Sequence, residues 1–337
     1  MNAPFDIEEL NSLADLERTR SSWIDLWARC PDATPFQRPE WLIPWWQHLG
    51  AGQLRTVAFW SDEELVGLVP LYVSTQANDG SSSMLFVGTG NSDYLDAICV
   101  PEKRSAIATG LIEHLAALSN EWDVCEFRQL PATSLLLEAQ PEERWVTDLL
   151  PDEVCPVIQL PGAGAGIETI LSANMVANLE YYRRRARKNG AIQIIRGDES
   201  NCERLMAELI RMQSLRWNAA GGGVLEPKAI QAFHYEVVKE MAGTGILRLH
   251  ALTIAEEIIA IFYGFSCKGR TYYYLGGFDP DRANISPGTL MIGEMVESAV
   301  QEGSRVFDFL RGQEEYKYRW GAVDQPTWRR RFAQVKA

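Results

Sequence analysis

At 337 residues, 46% hydrophobic and 23% charged, the chain has an ordinary globular composition and exceeds one comfortable core, so two domains of roughly 150 to 170 residues are expected. A net charge of −13 argues against DNA, RNA or an anionic membrane as a general partner, because each demands a positive surface. The start MNAPFDIEELNSLADLER carries acids where a signal peptide needs bases, and no segment approaches about eighteen apolar residues in a row; a cytoplasmic, soluble protein is expected. Six cysteines stand apart, with no CxxC pair and no histidine at metal-ligand spacing, which predicts buried free thiols and no metal.

In chain order, LADLERTRSSWIDLWARC places Leu13, Leu16, Trp23 and Trp27 at helical spacing, and PEWLIPWWQHLG follows as a tryptophan-rich helix. RTVAFWSDEELVGLVPLYV, from Arg55, reads as an antiparallel hairpin, LFVGTG as a strand, SAIATGLIEHLAALS as a helix and WDVCEFRQL as a strand. After the linker PGAGAG the order repeats: the hairpin LRLHALTIAEEIIAIFYGF, the strand TYYYLGG, the helix GTLMIGEMVESAVQEG and the strand RVFDFLRG. VCEF answers VFDF, so Glu126 stands where Asp308 stands. Such self-similarity predicts a duplicated unit divided at the linker, residues 1–160 and 167–337, each a mixed, mainly antiparallel sheet flanked by helices, an α+β or α/β fold; two unrelated α+β domains that share only generic alternation are the alternative.

The halves differ where the third strand meets its helix. GGFDPDRANISPGTLMIG delivers Ser286, Pro287, Gly288 and Thr289 to a helix start, whose free amides and positive dipole end suit a phosphate; ordinary capping is the plainer reading of the same residues. The first half has SDYLDAICVPEKRSAIATG there and no comparable loop, as in a degenerate copy without a donor site. Neither GxxxxGK[ST] nor GxGxxG is present, which disfavours ATP-driven and dinucleotide redox chemistry. Four isolated histidines form no triad or metal pair.

The set PLYV, SDYLD, the arginine-rich YYRRRARKNG, RMQSLRW, YYYLGGFDP, SPGTLM and FDFLRGQEEYKYRWG resembles GNAT-type acyltransferases of the cellulose-biosynthesis-associated, CelD/BcsL-like family, related to FemAB-like tandem-GNAT enzymes. The resemblance runs from Phe36 to Gly321. It implies two tandem GNAT-like units, with the pyrophosphate of acetyl-CoA or another acyl-CoA at residues 286–289 of the second. It further implies that TYYYLGG and RVFDFL splay apart around the thioester, with the backbone of Leu275, Gly276, Gly277 and Phe278 polarising its carbonyl.

Amide formation needs a neutral amine, a polarised carbonyl and a proton for the leaving thiolate. Asp308 is the first candidate base, with a brace to Arg311 or Arg319 as the equal alternative. Tyr316, or Tyr318, is placed to donate to sulfur, and Lys317 to bind an anionic acceptor or the donor's phosphates. Asp93, Tyr94, Asp96, Arg216 and Trp217 are candidates for the acceptor pocket; for SDYLD a simple Asx-type turn is equally expected. The basic run at 181–190 is either a solvated helix face or a phosphate contact. The leading expectation is an N-acyltransferase, most simply an N-acetyltransferase, for a small or sugar-linked amine in exopolysaccharide or envelope synthesis. The alternatives are a FemAB-like aminoacyl-tRNA-dependent transferase and a non-catalytic CoA-binding scaffold; oligomeric state is left open.

Overall fold

The computed structural model describes residues 5–75, 80–162, 164–217 and 223–334. The chain forms two compact units, Met1–Glu153 with Pro326–Ala337, and Val154–Gln325. This differs from the division expected at the linker, because residues 154–160 belong to the second unit and the C-terminal strand to the first.

The first unit holds β1 (Asp6–Leu10), α1 (Leu13–Arg29), α2 (Pro39–Leu49), β2 (Gln53–Leu54), β3 (Thr56–Ser61), β4 (Glu64–Val69), β5 (Leu71–Ser74), β6 (Ser83–Phe86), β7 (Ile98–Cys99), α3 (Arg104–Ala117), β8 (Val124–Leu130) and the first part of β9 (Trp145–Gln159). Ser12 caps α1 by accepting from the Asp15 amide, and Leu16, Trp23, Leu26 and Trp27 are buried while Leu13 stays 36% exposed. The indole N–H groups of Trp23 and Trp27 donate to the carbonyls of Gln37 and Thr34, so these rings are core with satisfied polar ends. The strands form one sheet ordered β1-β3-β4-β7 and a second in which β8, β6, β5 and β2 are successive neighbours.

The second unit continues with α4 (Ala173–Arg187), β10 (Ile192–Arg196), α5 (Cys202–Trp217), α6 (Lys228–Met241), β11 (Leu247–Ile254), β12 (Glu257–Cys267), β13 (Arg270–Phe278), α7 (Pro287–Gln301), β14 (Val306–Asp308) and α8 (Glu315–Tyr318). Its sheet is ordered β10-β11-β12-β13-β14-β9, and only β13 and β14 run parallel. β15 (Val323–Gln334) ends the chain and pairs antiparallel with β8, from Trp328↔Leu130 to Ala333↔Val124.

The duplication is visible in the hairpins. Asp62 and Glu63 turn at φ 50° and 66°, and Ala255 and Glu256 at 48° and 70°. Both are two-residue turns of the kind that matches strand twist. In each, a bulge follows at the same distance, leaving Val66 and Ile259 unpaired. The units diverge next, because Pro70 separates β4 from β5, which pair in different sheets, whereas β12 is continuous. Proline has no N–H to give a ladder, so a strand breaks there readily.

One face of the second sheet packs under α4 and α7, with Met175, Leu179, Ala186, Leu290, Met291, Met295, Val296 and Ala299 around Phe262 and Phe307. Helices α5 and α6 contact β11, and α5 also lies on β12 and β13. Burying each such side chain contributes about 1.5–3 kcal/mol, which makes this sheet a rigid base for whatever its edges display.

Candidate active site

β13 pairs with β12 over its full length, from Arg270↔Cys267 to Phe278↔Ala260. Its other edge meets β14 only at Arg270↔Val306, Thr271↔Phe307 and Tyr272↔Asp308. Past Asp308 the chain follows β9 instead: the Phe309 amide donates to the Pro156 carbonyl at 2.9 Å and the Gly312 amide to the Val154 carbonyl at 3.2 Å. The two parallel strands therefore part after Tyr272, and among the described residues no strand covers the edge of residues 273–278.

A bulge shapes this edge. Tyr263 pairs with Leu275 and Gly264 with Tyr273, so Tyr274 is the extra residue. One extra residue reverses the in-out alternation, and Tyr273 and Gly276 consequently share a face. Tyr273 stacks on Phe262 at 5.0 Å, and a Cβ added to Gly276 would stand 2.1 Å from the Tyr273 hydroxyl oxygen. From α5, Gln213 donates its side-chain amide to the Gly276 carbonyl, fixing the strand where it is free of β14.

The wedge is lined by aromatic rings. Tyr273 meets Phe309 edge-on at 6.1 Å, Phe309 meets Tyr316 at 6.2 Å, and the Arg216 guanidinium lies 5.3 Å from the Phe278 ring. Burial pushes Tyr273 up to about 12, with Arg216 pulling it down and Glu314 pushing it further up. Tyr316 is likewise driven up by burial, then by Tyr273 and Glu314, although the residue is 37% exposed. Both hydroxyls therefore hold their protons at neutral pH and serve as donors.

At the end of β13 the chain passes through residues 280–285 to α7, which begins with Pro287 after Ser286 at φ 50°. The Ser286 side chain makes no capping bond, and its carbonyl accepts the Leu290 amide at 3.1 Å. The amides of Gly288 and Thr289 belong to the first turn and have no acceptor within the helix. A Cβ on Gly288 would meet only the Phe278 ring, at 3.4 Å. Two unused amides at a dipole's positive end suit a pyrophosphate, and an uncovered strand edge suits an extended amide chain. These residues fit an acyl-CoA. On α4, which packs against α7 and the 280–285 turn, Arg184, Arg187 and Lys188 are exposed. Arg183 is committed elsewhere: burial works against its charge, but Glu297 and Glu294, at 2.6 and 2.9 Å, raise its pKa on balance.

Two expected site residues turn out to brace the fold. Asp308 has no exposed surface; Oδ2 pairs with Arg270 at 2.7 Å and Oδ1 accepts the Leu310 amide at 2.8 Å. A carboxylate so enclosed and occupied is poorly placed to meet an incoming amine, which weighs against its assignment as base; Arg270 is one of its ion-pair partners. Lys317 is 2% exposed, and its ammonium donates to the carbonyls of Leu310, Arg311 and Gly312 at 3.1, 2.8 and 3.0 Å, with Glu314 at 2.8 Å. Three donors on three carbonyls leave none for a phosphate, so Lys317 holds the turn instead of binding an anion. The Tyr318 hydroxyl donates to Asp324 at 2.7 Å on the surface, leaving Tyr316 as the tyrosine at the wedge.

Asp93 and Tyr94 are buried in the loop after β6, Tyr94 at φ 52°. Trp41 and Trp45 of α2 clamp that loop through Ser92 and Asn91. Arg216 lines the wedge, whereas the Trp217 side chain lies outside the described residues. Sequence reasoning missed Tyr273, Phe309 and Glu314. The run of three tyrosines signals an aromatic strand, but which one faces the cleft depends on the bulge at Tyr274.

Residues 173–318 match the family model described as acetyltransferase (GNAT) domain. Among solved structures the chain is similar to FemX, at 11% identity over 96% of each chain with a TM-score of 0.65. It is also similar to a conserved protein of unknown function from Bacteroides thetaiotaomicron VPI-5482, at 10% identity over 98% of this chain and 100% of that one, with a TM-score of 0.57. A search of curated proteins gives no match. At such identities the likeness is one of fold. The second unit, in which the matched span runs from α4 to α8, has the GNAT architecture of a mixed sheet splayed beside a helix start, and a hairpin with the same turn and bulge recurs in the first unit. Among the described residues no three of His, Cys, Asp and Glu converge as metal ligands, and no helix is long and apolar enough to cross a membrane.

Proposed function

We propose that the protein is an acyl-CoA-dependent N-acyltransferase of the cytoplasm, acting on an amino group of a small or sugar-linked acceptor. Exopolysaccharide or envelope synthesis is the setting suggested by the resemblance to CelD/BcsL-like enzymes. The observation that carries this reading is the parting of β13 from β14 after Tyr272, beside a helix start with two unused amides.

The acyl-CoA supplies the activated acyl group. Gly288 and Thr289 amides hold its phosphates, assisted by the exposed cations of α4, and the backbone of residues 275–278, beyond the reach of β14, orients and polarises the thioester carbonyl. Tyr316, protonated well above neutral pH, gives its proton to the departing sulfur. With Asp308 enclosed, the amine's proton leaves to solvent at the mouth, where Glu314 is 57% exposed.

The test combines acetyl-CoA and longer acyl-CoAs in a thermal-shift titration with thiol release on a panel of amino sugars and small amines. A ligand at a hundred times its Kd adds about 2.7 kcal/mol of apparent stability. Gly288→Val should abolish that shift, and Tyr316→Phe should lower kcat about 10- to 100-fold while leaving the shift intact. No shift and no thiol release with any donor at millimolar concentration would sink the reading. A shift without turnover on any amine would favour a non-catalytic CoA-binding module.

The exposed Arg184, Arg187 and Lys188 favour one second reading, a FemAB-like transfer from aminoacyl-tRNA. It predicts a shift with aminoacyl-tRNA that disappears in moderate salt when these three are neutralised.

A further inference from the structure

A cavity of about 120 Å³ lies in the first unit, at the head of α3. It is lined by Cys30, Asp32, Asp96, Cys99, Arg104 and Thr133, among others. In the duplicated plan α3 answers α7, and the cavity lies beside the start of α3 and the turn that follows β8, at Pro131 and Thr133. It is unlike the helix start of the second unit. Here the helix begins with Arg104 after Lys103, without a side-chain cap, and the neighbouring wall carries a carboxylate, which repels a pyrophosphate.

Asp96 is 8% exposed. Its Oδ1 accepts the Ser134 hydroxyl at 2.7 Å and the Ala97 amide at 2.8 Å, while Oδ2 makes no hydrogen bond among the described residues. Oδ2 is not sealed from solvent, so a donor on a bound ligand would take the place of water there. Burial pushes Asp96 up to about 7; Ser134, Ala97 and Arg104 act against the rise, and Asp32 adds to it. Arg104 commits Nη2 to the Thr133 carbonyl and lies 3.7 Å from Glu138 through Nε, leaving Nη1 for a ligand. The cavity thus offers a buried anionic acceptor and a cationic donor on its walls. By the space a single enclosed water takes, its volume holds on the order of ten non-hydrogen atoms.

The geometry points to a binding site for a small zwitterionic α-amino acid, its ammonium on Asp96 Oδ2 and its carboxylate on Arg104. A lone cation would leave Arg104 Nη1 unused, and an anion would face Asp96 and Asp32. The site is built from the first unit alone and stands whether or not the second unit transfers an acyl group.

The test is titration calorimetry of the full chain with glycine, L-alanine and L-serine. Saturable binding of at least one is expected. N-acetyl-L-alanine, lacking the ammonium, and L-alanine methyl ester, lacking the carboxylate, should each bind about tenfold or more weaker than L-alanine. Asp96→Asn retains acceptors for Ser134 and Ala97, and Arg104→Gln is partly exposed; each should lose about tenfold or more in affinity with its circular dichroism unchanged. If either variant fails to fold, the two blocked derivatives on the natural chain still decide. Absence of heat with all three amino acids to about 10 mM, or equal binding of L-alanine and its N-acetyl form, would overturn the proposal.

Discussion

The hydroxyl of Tyr273 lies over the backbone of Gly276, three residues along the same strand, so closely that a Cβ there would stand 2.1 Å from it. The ring has no easy retreat, because it stacks on Phe262 and meets Phe309 edge-on. Gly276→Ala should therefore destabilise the protein by about 1–3 kcal/mol, the usual cost of overpacking, and widen or shift the donor edge. Tyr273→Leu should remove most of that penalty when combined with it. A double-mutant cycle from urea melts measures the coupling; purely additive losses would mean that Tyr273 is not pinned.

The pair Asp308–Arg270 predicts a stability effect in place of a catalytic one. Asp308→Asn retains an acceptor for the Leu310 amide but removes the charge facing the Arg270 guanidinium, which still reaches Gln325; since Arg270 is 25% exposed, the loss should be about 2 kcal/mol, below the range for fully buried pairs. Turnover per folded molecule should change less than about threefold, a barrier change well under 1.4 kcal/mol. A thousandfold fall in kcat at unchanged Tm would restore Asp308 as the base.

Lys317 closes the turn that carries Tyr316. Leu310 and Gly312 adopt φ 56° and 105°, conformations that point successive carbonyls inward toward the ammonium. Lys317→Met keeps the stem's packing and orphans three carbonyls, so a loss of about 3 kcal/mol is expected, together with a weakened Tyr316 contribution to kcat. Donor affinity in the still-folded protein should hold. Weaker donor binding at unchanged Tm would identify Lys317 as a phosphate ligand after all.

The hairpins, the helix at Pro287 and the closing strand RVFDFL were legible because each is a local pattern: alternation, a turn, a helix start. The duplication followed from placing those patterns side by side. Chain return was not legible, since nothing in VDQPTWRRRFAQ says that it pairs with residues some two hundred positions earlier instead of with its own unit. The charged residues misled for a related reason. Asp308, Lys317 and Arg183 look reactive in a sequence, and only three-dimensional packing shows that Arg270, three carbonyls and two glutamates already occupy them. Tyr273 was hidden behind a one-residue bulge.

The pH dependence of stability follows from groups outside the wedge. Burial holds His234 down to about 3 and His250 down to about 4, the latter helped by Arg248 and Arg196, against an ordinary 6.5. The folded state then binds fewer protons than the unfolded chain below pH 6.5, so stability is full above that value and falls as pH drops toward 4 and 3. Each histidine accounts for up to a few kcal/mol, at about 1.4 kcal/mol for every tenfold loss of proton affinity on folding. His234→Phe retains the ring among Phe233, Tyr263 and Tyr274 and should flatten the acid limb by close to one proton. Asp96 acts in the opposite sense: raised from 3.8 to about 7, it binds a proton more tightly when folded, and its contribution is lost as pH rises through 7. Asp96→Asn should accordingly raise stability at pH 8 while steepening the loss in acid. Urea midpoints between pH 4 and 8 for the natural chain and both variants would reveal this. Parallel curves for all three proteins would show that neither side chain is held at the shifted value.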